Sequence, residues 1–319
     1  MKRVVVTDAT FPGVEREEAA ARAAGAEFAR HACTTADEVA AAVKGADVAV
    51  VQFAPLTRAA IAGLAPGATA IRYGVGYNNF DVAALNDFGV KAAYVPDYCT
   101  SEVADHTAAS ILALLRKLPA LDASVRKGDW AAVAVSKPLK SFGETTIGFL
   151  GFGRIAQEVA ARLSPFGFRL LAHDPYFTGQ FPGLALIDLP GLLARSDALT
   201  LHAPATPETT GIINAQTLAQ MRPSAVLVNT ARGDLIDEAA LAAALSSGRL
   251  AGAALDVFQT EPLPEASPLR QAPNLLLGPH AAWYSETAVE RLQSLVADEI
   301  TRALTGQGVR KPIPGSTAN

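Results

Sequence analysis

Cysteine is nearly absent: Cys33 and Cys99 are the only two in 319 residues, and they stand in no metal-like spacing. That scarcity counts against a disulfide framework and leads us to expect a reduced, cytoplasmic chain. Charge of one sign is also lacking. The 27 basic and 31 acidic residues leave a net charge of −4, with a sequence pI near 5.8. No general attraction to nucleic acid or an anionic membrane is expected, although a local basic pocket for a small anion stays open. No apolar run approaches the roughly 20 residues needed to span a bilayer. The basic N-terminus (residues 1–8) is followed by too short an apolar run for a signal peptide. Low-complexity tracts and short-period repeats are missing too. His31, His106, His173 and His202 are not paired with cysteines or carboxylates at metal spacings, so no metal is expected.

What is present is a core-forming composition: 50% hydrophobic and 18% charged residues, with 25 Gly and 20 Pro. Such a chain folds rather than staying disordered. Its length suits two domains, at roughly 150 residues each.

The first hundred residues alternate short β-branched runs with alanine-rich amphipathic stretches. Strands are expected at 4–7, 48–52, 70–73 and 91–95, and helices at 15–24, 36–43 and 58–64. Thr35 and Thr57 are candidate N-caps, because a side-chain oxygen there can satisfy a free amide. A longer helix is expected over 101–118, stopped by Pro119, with acids near its start and bases near its end. Residues 121–141 read as a connector. A second alternating series follows, with near-continuous apolar strands at 146–150, 169–173, 198–201, 225–229 and 253–255. Runs of that kind suit a parallel sheet covered on both faces. A helix over 286–304 is closed by Gly306 and Gly308.

The sharpest motif is Gly151-x-Gly153-x-x-Ala156, between an expected strand and an expected helix. Gly151 permits a tight turn, Gly153 lets the backbone approach a pyrophosphate, and Ala156 lets helix and strand pack closely. The helix N-terminus then presents free amides and a positive dipole end to phosphates. A lone motif of this kind is weak. Here the next strand ends in an acid, Asp174, about twenty residues on, where a carboxylate binds both ribose hydroxyls and repels a 2′-phosphate. NAD is therefore favoured over NADP. The alternative for Asp174 is a turn former before Pro175.

Three downstream segments carry chemistry suited to a carbonyl: Arg232 after one strand, Glu261 past the next and His280 past another. Reduction of a 2-oxo acid leaves charge on the carbonyl oxygen, which needs a proton, while the substrate carboxylate needs a fixed cation. Histidine donates protons near neutral pH, a carboxylate orients its ring, and arginine offers a planar fork. Each alone has a bland alternative: a surface arginine, a solvated turn glutamate, a buried satisfied histidine. Their order behind a nucleotide fingerprint favours the catalytic reading.

The segments VNTARGDLIDE (228–238), AALDVFQTEP (253–262) and GPHAAWYSE (278–286), with the glycine turn, resemble the D-isomer-specific 2-hydroxyacid dehydrogenase family over nearly the whole chain. Within it, VPDYCTSEVAD (95–105) and HAAWYSE (280–286) are most similar to the C-terminal-binding-protein branch. The resemblance implies an NAD-dependent oxidoreductase acting on the CH–OH group of D-2-hydroxy acids. Arg232 would bind substrate, His280 would be the general acid/base and Glu261 its partner. Val75 and Gly76, in the glycine-rich turn RYGVGYNN (72–79), would hold the substrate carboxylate; Asn78 stands where aspartate is more usual. Trp283 would select for a sizeable apolar side chain, its alternative being a core or interface aromatic. Arg154, Ile155, Pro204, Thr209, Thr230, Asp256 and Thr107 would contact the cofactor, although Thr107 and Thr209 equally suit ordinary capping. His202 is expected to pack beneath the cofactor.

The resemblance also implies an α/β fold of two Rossmann-like or flavodoxin-like domains with parallel sheets and the active site in the cleft between them. The substrate domain would be discontinuous, 1–100 plus 284–319, around an NAD-binding domain at 101–283. A homodimer is implied, through 101–118 and 121–141. Two other functions stay open: an NAD(H)-sensing corepressor-like binding protein, and a phosphoglycerate dehydrogenase. The intact catalytic set argues against the first. Trp283, and a chain end with no room for a regulatory domain, argue against the second.

Overall fold

The computed structural model describes residues 1–316, so residues 317–319, the close of the expected substrate domain, lie outside the described residues. Two compact units are present: Met1–Cys99 with the chain from Tyr284 onward, and Thr100–Trp283.

In the first unit, β1 (Arg3–Val6), α1 (Glu15–Ala23), β2 (Glu27–Arg30), α2 (Ala36–Ala42), β3 (Val48–Val51), α3 (Arg58–Ala62), β4 (Thr69–Arg72), α4 (Val82–Asp87) and β5 (Lys91–Tyr94) follow one another. The sheet order is β2-β1-β3-β4-β5, with every pair parallel. That is the flavodoxin-like order. β3 and β4 are buried along their whole length, as strands covered on both faces must be. The helix Glu286–Leu304 returns to pack on α1, β3 and β4. Beyond it Ile313, fully buried, bonds to Ala92 O beside β5.

The second unit contains α5 (Thr100–Leu115), α6 (Leu118–Arg126), α7 (Ala132–Ser136), β6 (Thr146–Leu150), α8 (Arg154–Leu163), β7 (Arg169–His173), β8 (Leu184–Leu186), α9 (Leu189–Arg195), β9 (Ala198–Leu201), α10 (Ala215–Leu218), β10 (Val226–Asn229), α11 (Glu238–Ser246), β11 (Gly252–Leu255) and β12 (Leu275–Leu277). Its seven-stranded sheet is ordered β12-β11-β10-β9-β6-β7-β8, again parallel throughout. The order reverses between β6 and β9, the place where doubly wound sheets take their ligands. α5 and α8 cover one face through Ala104, Ala108, Ile111, Ala156, Val159 and Ala160, the four alanines letting helix lie close to strand.

Some expectations need correction. Residues 121–141 are not a bare connector, since α6 and α7 occupy most of the stretch. Pro119 does not stop the preceding helix. α5 ends at Leu115, Lys117 takes a left-handed conformation (φ 51°), and Pro119 sits in the first turn of α6, where its missing N–H costs nothing. Thr35 caps α2 in a capping box with Glu38, but Thr57 makes no side-chain cap on α3. Thr57 keeps the extended N-cap backbone (φ −82°, ψ 168°) without the side-chain bond.

Candidate active site

Every expected nucleotide-contacting or catalytic residue of the second unit except Thr107 follows the carboxyl end of a strand or opens the helix after it. Because the strands are parallel, those ends share one edge. β6 runs into Gly151, whose φ of 84° lies in the left-handed region; a Cβ there would sit 2.8 Å from Ala203 N, so only glycine fits. Gly153 precedes α8 and has no atom within 4 Å of its Cβ position, leaving the turn open on that side. Arg154 and Ile155 form the first turn of α8, and Ala156 is fully buried. Asp174, after β7, accepts the Phe152 N–H at 2.7 Å and the Tyr176 N–H at 2.8 Å, which fixes its carboxylate against the glycine turn. An open glycine turn, a ten-residue helix N-terminus and an anchored carboxylate together fit a dinucleotide with a free ribose diol.

The remaining expected cofactor residues are placed less uniformly. Thr209 Oγ1 donates to Pro204 O at 2.6 Å and accepts the Thr206 N–H at 2.8 Å, closing the loop after β9. Thr107 is fully buried in α5; its hydroxyl lies 2.7 Å from Thr230 Oγ1 and 2.7 Å from Val103 O. His202 stacks on Phe149 and bonds to Thr200 Oγ1 at 3.0 Å. Burial pushes its pKa down to about 3, so the ring is neutral.

Arg232, Glu261 and His280 come from the loops after β10, β11 and β12, three adjacent strands paired through Asn229↔Leu255 and Leu255↔Leu277. The fully buried Asn229 shapes the first loop: its Nδ2 donates to Arg232 O at 2.7 Å and its Oδ1 accepts the Ala231 N–H at 3.0 Å. His280 Nδ1 lies 2.7 Å from Glu261 Oε2, and Glu261 Oε1 accepts the Phe258 N–H at 3.0 Å. Burial raises the Glu261 carboxyl, but the His280 bond and charge, the Phe258 amide and the Arg232 charge together outweigh it and hold the pKa below the usual range. Glu261 is therefore ionised and paired with the imidazole. Glu261 thus meets the ring at Nδ1, which leaves Nε2 on the opposite side of the imidazole from the carboxylate.

Sequence reasoning missed the supports. Asp256, expected to face the cofactor, is 2% exposed, and its carboxylate accepts the Ala281 N–H at 2.9 Å and the Ala282 N–H at 2.7 Å. Its carbonyl accepts the His280 N–H at 2.8 Å. These bonds hold His280 at φ 56°, a left-handed conformation that a β-substituted residue adopts only when its surroundings impose it. Trp283, half-buried, follows directly on the braced pair. In the first unit, Val75 and Gly76 lie in the turn after β4, and the buried Arg72 guanidinium donates to Tyr73 O and Gly76 O within that turn. The available signal was a charged residue ending an otherwise apolar strand.

A family model for the D-isomer specific 2-hydroxyacid dehydrogenase NAD binding domain matches residues 108–282, more than half of the chain. The chain belongs to this family. Its second unit carries the family's NAD-binding domain. The chain is 39% identical over 277 residues to D-3-phosphoglycerate dehydrogenase of Mycobacterium tuberculosis, covering 86% of this chain and 52% of that protein. It thus spans about half the length of the curated relatives it matches. Among solved structures, the TT0316 protein of Thermus thermophilus is similar at 32% identity with a TM-score of 0.87, over 98% of this chain and 99% of that one. The NAD-dependent formate dehydrogenase of Staphylococcus aureus, in complex with NAD, is similar at 30% identity with a TM-score of 0.87, over 99% and 100% of the two chains. Each of these two structures matches the chain across both parallel-sheet units.

Proposed function

We propose that the chain is an NAD-dependent D-2-hydroxyacid dehydrogenase that interconverts a 2-oxo acid and its D-2-hydroxy acid. The observation that carries the reading is the His280–Glu261 pair at 2.7 Å, with Arg232 on the neighbouring loop at the same sheet edge as the nucleotide turn. NADH, when bound, supplies the hydride. Its pyrophosphate would lie on the Gly151–Ile155 turn and the amides opening α8, and its adenosine ribose against Asp174. Pro204, Thr209 and Thr230 would border the remainder, with the buried Thr107 behind Thr230 and Asp256 behind the His280 segment.

The chain's own residues do the rest. Arg232 offers its planar fork to the 2-oxo acid and neutralises charge gathering on the substrate oxygens. Val75 and Gly76 would offer backbone amides to the carboxylate. As the carbonyl carbon gains a hydride, its oxygen takes the proton from His280 Nε2, and ionised Glu261 stabilises the imidazolium beforehand. In the oxidising direction His280 takes the hydroxyl proton back. Trp283 favours a side chain larger than that of pyruvate. The identity to mycobacterial D-3-phosphoglycerate dehydrogenases favours a second substrate reading within the same chemistry, 3-phosphohydroxypyruvate.

We also propose a homodimer formed through α5 to α7, and the cytoplasm as compartment, which suits two free buried cysteines. No helix among the described residues is long and apolar enough to cross a membrane.

An NADH-oxidation screen over glyoxylate, pyruvate, hydroxypyruvate, 3-phosphohydroxypyruvate, phenylpyruvate, 4-methylthio-2-oxobutyrate and branched 2-oxo acids tests the function. His280→Gln is expected to lower kcat by about 10³-fold or more on the best substrate while leaving NADH affinity in place. Turnover near the wild-type rate would remove His280 from the proton-donor role.

A further inference from the structure

The loop that carries Glu261 is exposed from Gln259 to Glu261, yet it must hold a carboxylate in register with an imidazole on one side and a guanidinium on the other. Exposed loops are mobile unless something ties them down. Here the tie is the segment that begins at Arg232. Gly233 is buried, and a Cβ on it would lie 1.9 Å from the Phe258 carbonyl carbon, so the two backbones touch with no room for a side chain. One residue further, Gln259 is gripped twice: its N–H donates to Glu238 Oε1 at 2.7 Å, and its Nε2 donates to Ile236 O at 2.7 Å. Ile236 is itself fully buried, and Glu238 opens α11 behind the Asp237 cap. From this fixed point the chain turns so that the Phe258 N–H meets Glu261 Oε1, and Glu261 Oε2 meets His280.

We propose that Glu238 and Gln259 are positioning residues that clasp the Glu261 loop to the Arg232 segment and so set the spacing between the carboxylate-binding cation and the proton-transferring pair. Neither touches a reacting atom. Both act through the main chain at residues 258–261. A misplacement of about 1 Å in such a set costs up to about a hundredfold in rate, so a single hydrogen bond to the loop has leverage out of proportion to its strength. The kinetic side of this inference rests on the dehydrogenase reading above; the structural side does not.

The test uses Glu238→Ala, Glu238→Gln and Gln259→Ala in the full chain. Glu238→Ala removes the acceptor for the Gln259 N–H and is expected to lower kcat by about tenfold with NADH affinity within about twofold of wild type. Glu238→Gln keeps a carbonyl oxygen in the same place and is expected to stay within about threefold of wild-type kcat. A role confined to the first turn of α11 predicts otherwise, because that role depends on negative charge at the helix N-terminus, which both variants lose equally. The second readout needs no turnover. In 15N-histidine-labelled protein, the low-field His280 Nδ1–H resonance, assigned by its loss in His280→Gln, should broaden or vanish in Glu238→Ala and Gln259→Ala and persist in Glu238→Gln. Equal impairment of Glu238→Ala and Glu238→Gln, or a resonance unchanged in all three variants, overturns the clasp. Its absence from the wild type overturns the His280–Glu261 pairing on which the clasp acts. Should no 2-oxo acid be reduced by the wild type, the functional reading fails while the resonance still decides the clasp.

Discussion

Asp174 accepts one main-chain N–H on each carboxylate oxygen, from Phe152 and from Tyr176, and each oxygen keeps a further lone pair for a hydroxyl. A ribose diol matches that arrangement, whereas a 2′-phosphate would meet a fixed like charge. Asp174→Ser should therefore lower the NAD-to-NADP ratio of kcat/KM by about tenfold, the equivalent of about 1.4 kcal/mol; steady-state kinetics with both cofactors would check it, and an unchanged ratio would remove Asp174 from the ribose role. The neighbouring logic at Glu261 runs the other way. There the carboxylate's charge is spent on His280 rather than on a ligand, and its pKa is held low by the imidazole, the Phe258 amide and Arg232 against the opposing effect of burial. Residue types alone suggested both roles. Only the donors around each carboxylate separate a group that binds from a group that orients.

At the scale of elements, one buried carboxylate joins three pieces of the second unit. Asp197, just before β9, bonds to Lys140 Nζ at 2.8 Å, Arg222 Nη1 at 2.9 Å and the Thr146 N–H at 3.0 Å, tying the segment after α7, the start of β6 and the approach to β10. Burial raises its pKa, but these partners together pull it below the ordinary value. A depressed pKa contributes stability above the unfolded carboxylate range that is lost as pH falls through the folded value. Asp197→Asn should cost about 2 kcal/mol at neutral pH, and the gap from wild type should close below about pH 4; urea unfolding at a series of pH values would check both parts. The elements themselves were unequally legible. The central strands β6, β7 and β9 have buried, largely apolar interiors, and their expected and observed limits coincide. β2, β8 and β12 were given no limits in the sequence reading, although a strand was expected before His280, and all three are sheet edges. An edge strand is partly solvated and short, so Glu27-Phe28-Ala29-Arg30 carries charge at both ends and shows no apolar run. α4, six residues long, had no expected counterpart either.

At the scale of the whole molecule, an unusual amount of apolar surface is gathered on α6, α7 and the residues beside them. Leu118 and Val125 are each 54% exposed, Val133 78% and Trp130 93%. Exposed clusters of large apolar groups mark association surfaces, and the dimer proposed above would cover this one. Sedimentation velocity should give about twice the mass of one chain, and Trp130→Asp should shift the population to monomer without loss of secondary structure. A wild-type monomer, or a dimer indifferent to the substitution, would place the association surface elsewhere.

Local sequence by itself determined the glycine turn with its following acid, the central parallel strands, the helix Glu286–Leu304 and the order in which Arg232, Glu261 and His280 arrive. Each of these is written in neighbours a few residues apart: a turn that requires glycine, an apolar run, a period of 3.6. The tertiary structure alone decided that β10, β11 and β12 lie side by side, that His280 Nδ1 meets Glu261 while Asp256 braces its turn, and that Gln259 is clasped by Glu238. Those contacts depend on sheet order and on backbones brought together across tens of residues, which no local periodicity encodes.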